Sequence, residues 1–539
     1  MKIIDVLRKV DELPISARGK GTFFERLIAK YLMTDPEYAN RLEKVWLWGE
    51  WDECSDKGID SGIDLIAREK NTGNYWAVQC KFFNQSYNIQ KHDIDSFFTA
   101  SGKKYNINGE FRGLDYRLII STTDNWSREA EKALENQVIE TQRITLENLE
   151  ESPIDWSLFD IGNPEDIKLK PKRMARPHQE EAVDEAISSF ENNDRGKLIM
   201  ACGTGKTLTA LRLCEKYVPK GRILFLAPSI GLIAQSLRDW TADAFEPFNA
   251  FAVCSDTKIG KNDEDIRVHE LAYPATTNAE RLLKAVNAAQ NGKMTVIFST
   301  YQSIQVVADA QKQGIGPFDI IICDEAHRTT GATLLNEADS EFVKVHDNDV
   351  IKAKKRLYMT ATPRIYTETV KKKANEASAT LFSMDDENVY GSEFYKISFK
   401  EAVDGGLLSD YKVMITIVNE NEMADLANKY NLTENEAITT ELATKIIGSW
   451  KALSGKELYS IDDKGMERIN NKRMKRAVAF SRTIKDSKDI ANIFKKVVNL
   501  HENSEKDIGI DDIKHVDGSM NIMTRQKELS WLKEDEKKG

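Results

Sequence analysis

Met200-Ala201-Cys202-Gly203-Thr204-Gly205-Lys206-Thr207 sits between two apolar segments of different period. Before it, Leu198-Ile199-Met200 reads as a buried strand. After it, Leu208 to Cys214 carries helical apolar spacing. A strand, a glycine-rich turn ending in Gly-Lys-Thr and a helix form the arrangement a nucleoside triphosphate site needs. Gly203, Thr204 and Gly205 make the turn, whose backbone N–H groups can close around phosphate oxygens; the helix N-terminus adds partial positive charge. Lys206 is placed to reach the outer phosphates of ATP, and the Thr207 hydroxyl to hold Mg²⁺. The first position of the pattern departs from its usual glycine and is Met200.

The segments downstream repeat one form. Gly221 to Ser229, Thr295 to Ser303, Phe318 to His327 and Arg356 to Pro363 are near-continuous apolar runs, each ending in polar residues and separated by helical patterns. Such runs indicate a parallel sheet, which binds ligands beyond the carboxyl ends of its strands. Asp324-Glu325 falls at one of those ends. Asp324 is expected to complete Mg²⁺ coordination opposite Thr207, and Glu325 to orient the water that attacks the γ-phosphate.

Arg176-Pro177-His178-Gln179, Gly203 to Thr207, Ala227-Pro228-Ser229, Ser299 to Ser303, Asp324-Glu325-Ala326-His327 and Thr360-Ala361-Thr362-Pro363 follow in that order. In this the chain resembles superfamily 2 helicases and translocases over about 200 residues. The resemblance implies that Gln179 reads the adenine edge. It implies that Pro228-Ser229 and Ser299-Thr300 touch the DNA backbone, and that His327 and Thr360-Ala361-Thr362 couple hydrolysis to domain movement. The Met200 variant of the loop and the stretch from Val389-Tyr390-Gly391 to Gly406-Leu407-Leu408 look most like restriction-enzyme motors.

The first 165 residues read as a mixed sheet flanked by helices. Strands are expected at 45–48, 63–67, 75–83, 117–121 and 143–146, with helices over 21–32, 91–104 and 127–138. In Tyr75 to Phe83 side chains alternate, so Trp76, Val78, Cys80 and Phe82 share a core face and Gln79 and Lys81 share the other. A lysine there needs an anion nearby, and Asp64 on the preceding strand can supply it. An Asp, then Gln79 two residues before Lys81, is a metal-dependent phosphodiesterase layout. Asp64 and Gln79 would ligate Mg²⁺, and Lys81 would help to stabilise the charge developing at phosphorus. Gly21 to Glu25, Gly62 to Ile66 and Gln79-Cys80-Lys81 resemble the Mrr-like branch of the PD-(D/E)xK nucleases. There Gln commonly stands where other branches have Glu, and the helix Glu25 matches a position that often completes the site.

Six scattered cysteines without a Cys-x-x-Cys pair argue for a reducing cytoplasm and against a disulfide framework. The net charge of −10 argues against a surface coated for nucleic acid and leaves room for a local basic channel. No apolar run is long enough to span a bilayer. Prolines 153, 164, 171 and 177 with Lys168, Lys170, Lys172 and Arg173 mark a partly extended connector.

The expected organisation is an α/β chain: an Mrr-like nuclease with linker over 1–165, a first RecA-like ATPase domain over 166–395, and the beginning of a second over 396–539. In the tail, Val413 to Val418 reads as a strand, 434–453 as a helix, and Ala477 to Thr483 and His515 to Met520 as opening pieces of the second motor domain, whose later motifs are missing. A nuclease ahead of such a motor resembles the N-terminal part of type ISP, single-polypeptide restriction–modification enzymes. The resemblance implies translocation on double-stranded DNA, with an adenine methyltransferase and a target-recognition domain beyond residue 539. A type I or type III restriction subunit, another defence helicase–nuclease, and a motor whose nuclease-like domain grips DNA without cutting are the alternatives.

Overall fold

The computed structural model describes residues 2–410 apart from 59–61, 136, 165, 255–270, 272, 335–339 and 377–378. Beyond 410 it describes 445–446, 448–449, 453, 459–462, 465–468, 476–499, 513–517, 528 and 531–532. The described residues up to 409 form one compact unit, and those from 410 onward a second.

The first unit opens with helices α1 (Ile3–Asp11), α2 (Ala17–Thr34) and α3 (Pro36–Ala39). Ser16 caps α2 by accepting from Gly19 N at 3.1 Å, and the helix stops at Asp35, held extended by the proline that follows. Its stripe Phe24, Leu27, Ile28, Tyr31 and Leu32 is buried. Strands β1 (Leu42–Leu47), β2 (Leu65–Glu69) and β3 (Tyr75–Lys81) come next. Then follow α4 (Lys91–Ser101), a hairpin of β4 (Lys104–Ile107) and β5 (Glu110–Gly113), β6 (Tyr116–Ser121), α5 (Arg128–Leu134), β7 (Thr141–Ile144) and α6 (Leu146–Glu151). The sheet runs β1-β2-β3-β6-β7, antiparallel across the first three strands and parallel across the last three.

Side chains of β3 alternate between two faces as expected, and the Gln79 face is as deeply buried as the other. Every residue from Tyr75 to Cys80 is buried, and Tyr75 and Ala77, on the Gln79 face, belong to a core with Ile94 and Phe97 of α4. Helices cover both faces, so β3 has no solvated side.

The motor part holds α7 (Pro177–Phe190), β8 (Arg195–Met200), α8 (Lys206–Tyr217), β9 (Arg222–Ala227), α9 (Ile230–Asp243), β10 (Asn249–Val253), β11 (Ala275–Thr276) and α10 (Ala279–Ala288). It continues with β12 (Thr295–Thr300), α11 (Ile304–Lys312), β13 (Phe318–Cys323), β14 (Gly331–Leu334), β15 (Ala353–Thr360), α12 (Glu368–Glu376) and β16 (Ala379–Phe382). It closes with α13 (Glu387–Tyr390), β17 (Ser392–Ile397) and α14 (Phe399–Asp404). Eight strands make one parallel sheet in the order β11-β10-β12-β9-β13-β15-β8-β17. Consecutive apolar residues feed two cores: Phe225, Phe298 and Ile322 face one side, Leu224, Ile297 and Ile321 the other. This is the arrangement that brings the ends of β8, β13 and β15 to one edge.

The connector is tied down. Asp155 N donates to Lys168 O and Lys170 N to Pro153 O. Arg173 donates from its backbone and from Nε to Asp243 of α9, both at 2.7 Å. The basic residues gathered here are thus partly spent on the motor's own acids. Further contacts join the two parts. Arg238 of α9 pairs with Glu151 at 2.5 Å, Arg281 with Glu140 at 3.0 Å, and the Arg41 guanidinium lies 5.3 Å from the rings of both Trp76 and Tyr273.

In the second unit the described elements are the hairpin β18 (Tyr459–Asp462) with β19 (Gly465–Arg468) and the helix α15 (Ile484–Asn499). Of the expected helix over 434–453 only five positions are described, four of them as two short helical pairs and the fifth helical; Val413 to Val418 lies outside the described residues. In the piece expected to open the second motor domain, Ala477 to Thr483, which reads as a strand and turn, no strand forms: residues 477–481 are irregular, and Val478 and Phe480 are 63% and 96% exposed. With no neighbouring strand to pair with among the described residues, apolar character alone does not make a strand.

Candidate functional site

Met200 ends β8, and the loop after it closes through Thr204, which donates from N and from Oγ1 to Ala201 O. Gly205 stands at φ +90° and begins α8 with no side-chain cap and no acid in the first turn. The first N–H groups of such a helix have no acceptor within it and suit an anion. A Cβ on Gly205 would meet Gln179 Nε2 at 2.1 Å, so glycine is required for room as well as for conformation. Lys206 and Thr207 occupy the first turn of α8, and Trp240 Nε1 donates to Thr207 O at 3.0 Å.

Gln179 lies against this loop. Its Nε2 donates to Thr204 O at 3.1 Å and to Gly205 O at 3.2 Å, and its Oε1 accepts from Arg176 N at 2.8 Å. Both ends of the amide serve the loop and the helix start. The neighbouring His178, which sequence reading did not single out, adds Nε2 at 2.8 Å from Thr204 O.

Asp324 follows β13, buried, and its Oδ1 has no hydrogen-bond partner. Burial pushes its carboxyl up to about 6, and the Glu325 charge adds to the shift while Lys206 opposes it. Glu325 adopts φ +47° and ψ +46°, rare for a residue with a side chain. Its carboxylate reaches both ways: Oε1 is 3.9 Å from Lys206 Nζ, and Oε2 is 3.2 Å from His327 Nδ1. His327 Nδ1 is also 3.1 Å from Thr360 Oγ1, at the end of β15. Burial lowers the His327 pKa against the pull of Glu325. Residues from the ends of three strands thus meet in one charged cluster. The hydroxyls of Ser299 and Thr300 turn inward, to Thr300 O and Ser303 Oγ, while Ser229 caps α9. Gln302 ties the two segments by donating to Pro228 O at 3.1 Å.

The second cluster stands at the start of β2 and the end of β3. Asp64 N donates to Val78 O, and Asp64 Oδ2 accepts from Cys80 N at 2.7 Å. Gln79 is 1% exposed; its Nε2 donates to Gly62 O at 3.1 Å, and its Oε1 has no partner. Gly62 has φ +78°, and a Cβ there would approach Ser96 Oγ to 2.8 Å; the tight turn it permits aims its carbonyl at Gln79. Glu25 on α2 is half-buried, and burial raises its pKa against Arg18 and Arg26. The Cys80 thiol reports how these groups converge: burial raises its pKa first, then the charges of Asp64 and Glu25, with Lys81 opposing. Sequence reading gave Gly62 and Cys80 no role of their own, although both were quoted within motifs. No group of three His, Cys, Asp or Glu poised for a metal occurs among the described residues.

Comparison with known proteins matches residues 33–166 to a restriction endonuclease family and residues 172–365 to the type III restriction enzyme res subunit family. The Type I restriction enzyme EcoAI endonuclease subunit of Escherichia coli is 29% identical over 248 residues, 45% of this chain and 24% of that one. Among solved structures, the ATP-dependent Type ISP restriction-modification enzyme LlaBIII bound to DNA superposes with a TM-score of 0.78 at 35% identity. That match covers 99% of this chain and 33% of LlaBIII. A nuclease-deletion mutant of the Type ISP enzyme LlaGI, in complex with a DNA substrate mimic, is 33% identical over 67% of this chain and 23% of its own, with a TM-score of 0.45. The chain therefore spans a third or less of the length of these relatives. It carries a restriction-endonuclease domain followed by a helicase-like ATPase domain.

Proposed function

We propose that this chain, a restriction-endonuclease domain joined to a helicase-like domain, is the nuclease and motor part of an ATP-dependent restriction–modification enzyme of the type ISP kind. The observation that carries the reading is the approach of Lys206 to Glu325 across the glycine loop, beside the unpartnered Asp324 Oδ1. In the motor, backbone N–H groups of residues 203–207 and Lys206 bind the phosphates of ATP. Glu325 orients the attacking water. Thr207 and Asp324 fit Mg²⁺, since a buried carboxylate oxygen lacking a donor suits a hard cation. Bound there, the ion would neutralise charge on the outer phosphates. Turnover would drive the chain along double-stranded DNA. His327, between Glu325 and Thr360, would link hydrolysis to the end of β15.

In the nuclease, Asp64 and Gln79 fit a second Mg²⁺ by the same test, Gln79 Oε1 being buried and unpartnered. Lys81 supplies positive charge at the scissile phosphate, and Glu25 lies close enough to shape the field. The division at about residues 165 and 395, a methyltransferase and target-recognition domain beyond 539, and a cytoplasmic site of action belong to the same proposal. No helix among the described residues is long and apolar enough to cross a membrane. The test is Mg²⁺-dependent nicking of duplex DNA by the full-length enzyme and its Asp64→Ala variant. The variant is expected to lose nicking by about a thousandfold while keeping ATP turnover. Equal nicking in both would remove the nuclease assignment. If even the wild type leaves DNA intact, the first domain grips DNA without cutting it.

A further inference from the structure

Three buried side chains beneath the acidic turn take no part in the chemistry above. Tyr301, fully buried after β12, donates its hydroxyl to Asp324 O at 2.8 Å. Tyr390, at the end of α13, donates its hydroxyl to Thr329 O at 2.9 Å. His346 Nε2 lies 3.1 Å from the same carbonyl, and His346 Nδ1 lies 3.0 Å from the Tyr358 hydroxyl. A carbonyl only accepts, so Nε2 carries the proton and Nδ1 accepts from Tyr358. Thr329 Oγ1 closes the turn by donating to Ala326 O at 2.8 Å.

The turn from Asp324 to Thr329 is thereby held at both carbonyl ends by donors from separate parts of the chain. Between the two anchors sits Glu325, at φ +47°. A residue with a side chain keeps such a conformation only where its surroundings enforce it. Relaxed to a right-handed conformation, Glu325 would turn its carboxylate away from Lys206. The anchors themselves have little freedom. Phe382 stacks on His346 at 5.0 Å, and Tyr390 meets both His346 and Tyr358 edge-on at 4.9 Å. Gly391, at φ +74°, runs so close to Arg195 that a Cβ would come within 2.0 Å of its carbonyl oxygen. The Val389-Tyr390-Gly391 stretch, left without a role by the nucleotide chemistry, fixes where the Tyr390 hydroxyl lands.

We infer that Tyr301, Tyr390 and His346 are positioning residues that clamp the acidic turn and hold Glu325 in its strained, water-orienting conformation. The inference rests on the proposed hydrolysis at Lys206, Asp324 and Glu325. Tyr390→Phe and Tyr301→Phe keep the rings and remove one donor each. In the full chain each is expected to lower kcat for ATP about tenfold with KM for ATP unchanged, since the loop that binds phosphate is untouched. Amide hydrogen exchange is read on the same samples without nucleotide. Peptides covering 324–330 should exchange about tenfold faster in Tyr390→Phe, and peptides covering 200–207 at the wild-type rate. Unchanged kcat in both variants, or a rise in KM alone, overturns the clamp. A wild type without ATP turnover sinks the hydrolysis reading but not the exchange test, where unchanged exchange at 324–330 overturns the clamp by itself.

Discussion

At the nucleotide site a cation faces an anion, with Lys206 3.9 Å from Glu325 and Glu325 3.2 Å from His327. At the nuclease site the corresponding oxygen donors are one carboxylate, Asp64, already accepting from a backbone amide, and one neutral amide, Gln79. Each site also buries one oxygen without a donor, Asp324 Oδ1 in the first and Gln79 Oε1 in the second. On the proposed assignment the motor site would offer a metal the Asp324 carboxylate, with Lys206 as the nearby cation and His327 held toward its neutral form. The proposed nuclease site would offer a carbonyl dipole in place of one charge, so its hold on a hard cation would depend more on the phosphate that arrives with the substrate.

The largest effect that would break this contrast is at Lys206. Lys206→Ala should abolish ATP turnover, by a factor of about a thousand or more, and leave duplex DNA binding largely intact. Steady-state turnover with a gel-shift assay on the same preparation checks it; unchanged turnover would remove the loop from the chemistry. Gln79→Glu sharpens the contrast from the other side. A second carboxylate should lower the Mg²⁺ concentration that half-saturates nicking about tenfold. Loss of nicking instead would mean that the amide bond to Gly62 O matters more than the charge.

The smallest effect concerns His346, which has no counterpart in the nuclease. Burial, ahead of the nearby Arg195 and Arg356, depresses its imidazole to about 3, against 6.5 for the free side chain. Between those values the unfolded chain binds a proton that the folded chain refuses. This contribution to stability is intact above 6.5 and is lost as pH falls through the window. Thermal denaturation at pH 7 and pH 5 should show a shallower decline in His346→Gln, by at most about 1.4 kcal/mol per pH unit. An equal decline would mean that the imidazole is protonated in the folded chain.

The parallel sheet was legible because each of its central strands is a continuous apolar run ending in a short polar motif. Nothing else in the sequence competes for Leu198 to Met200 or Ile320 to Cys323. The nuclease strands were legible for position but not for burial. Alternation within β3 cannot tell that α4 covers the Gln79 face, because that helix begins ten residues after Lys81. What joins the sites internally was hidden for the same reason. Gln179 reaches its loop across 25 residues, Asp64 reaches Cys80 N across 16, and Tyr390 reaches Thr329 across 61. Such pairings depend on tertiary register and leave no local period. Edge strand β17 also escaped notice, since Ser392 to Ile397 has the half-buried pattern of an edge and lacks the apolar run of its neighbours.

The connector has a consequence for how the chain would come apart. A proteolytic enzyme needs several consecutive residues of free, extended backbone to thread its active site. Residues 151–177 have the composition of such a target, yet backbone hydrogen bonds fold them on themselves around 153–170, and Arg173 fastens them to α9. Arg238, Arg281 and Arg41 bridge the same two parts farther along. Clipping the tether would therefore have to wait for one part to peel off the other, so nuclease and first motor domain would leave a limited digest as a single fragment.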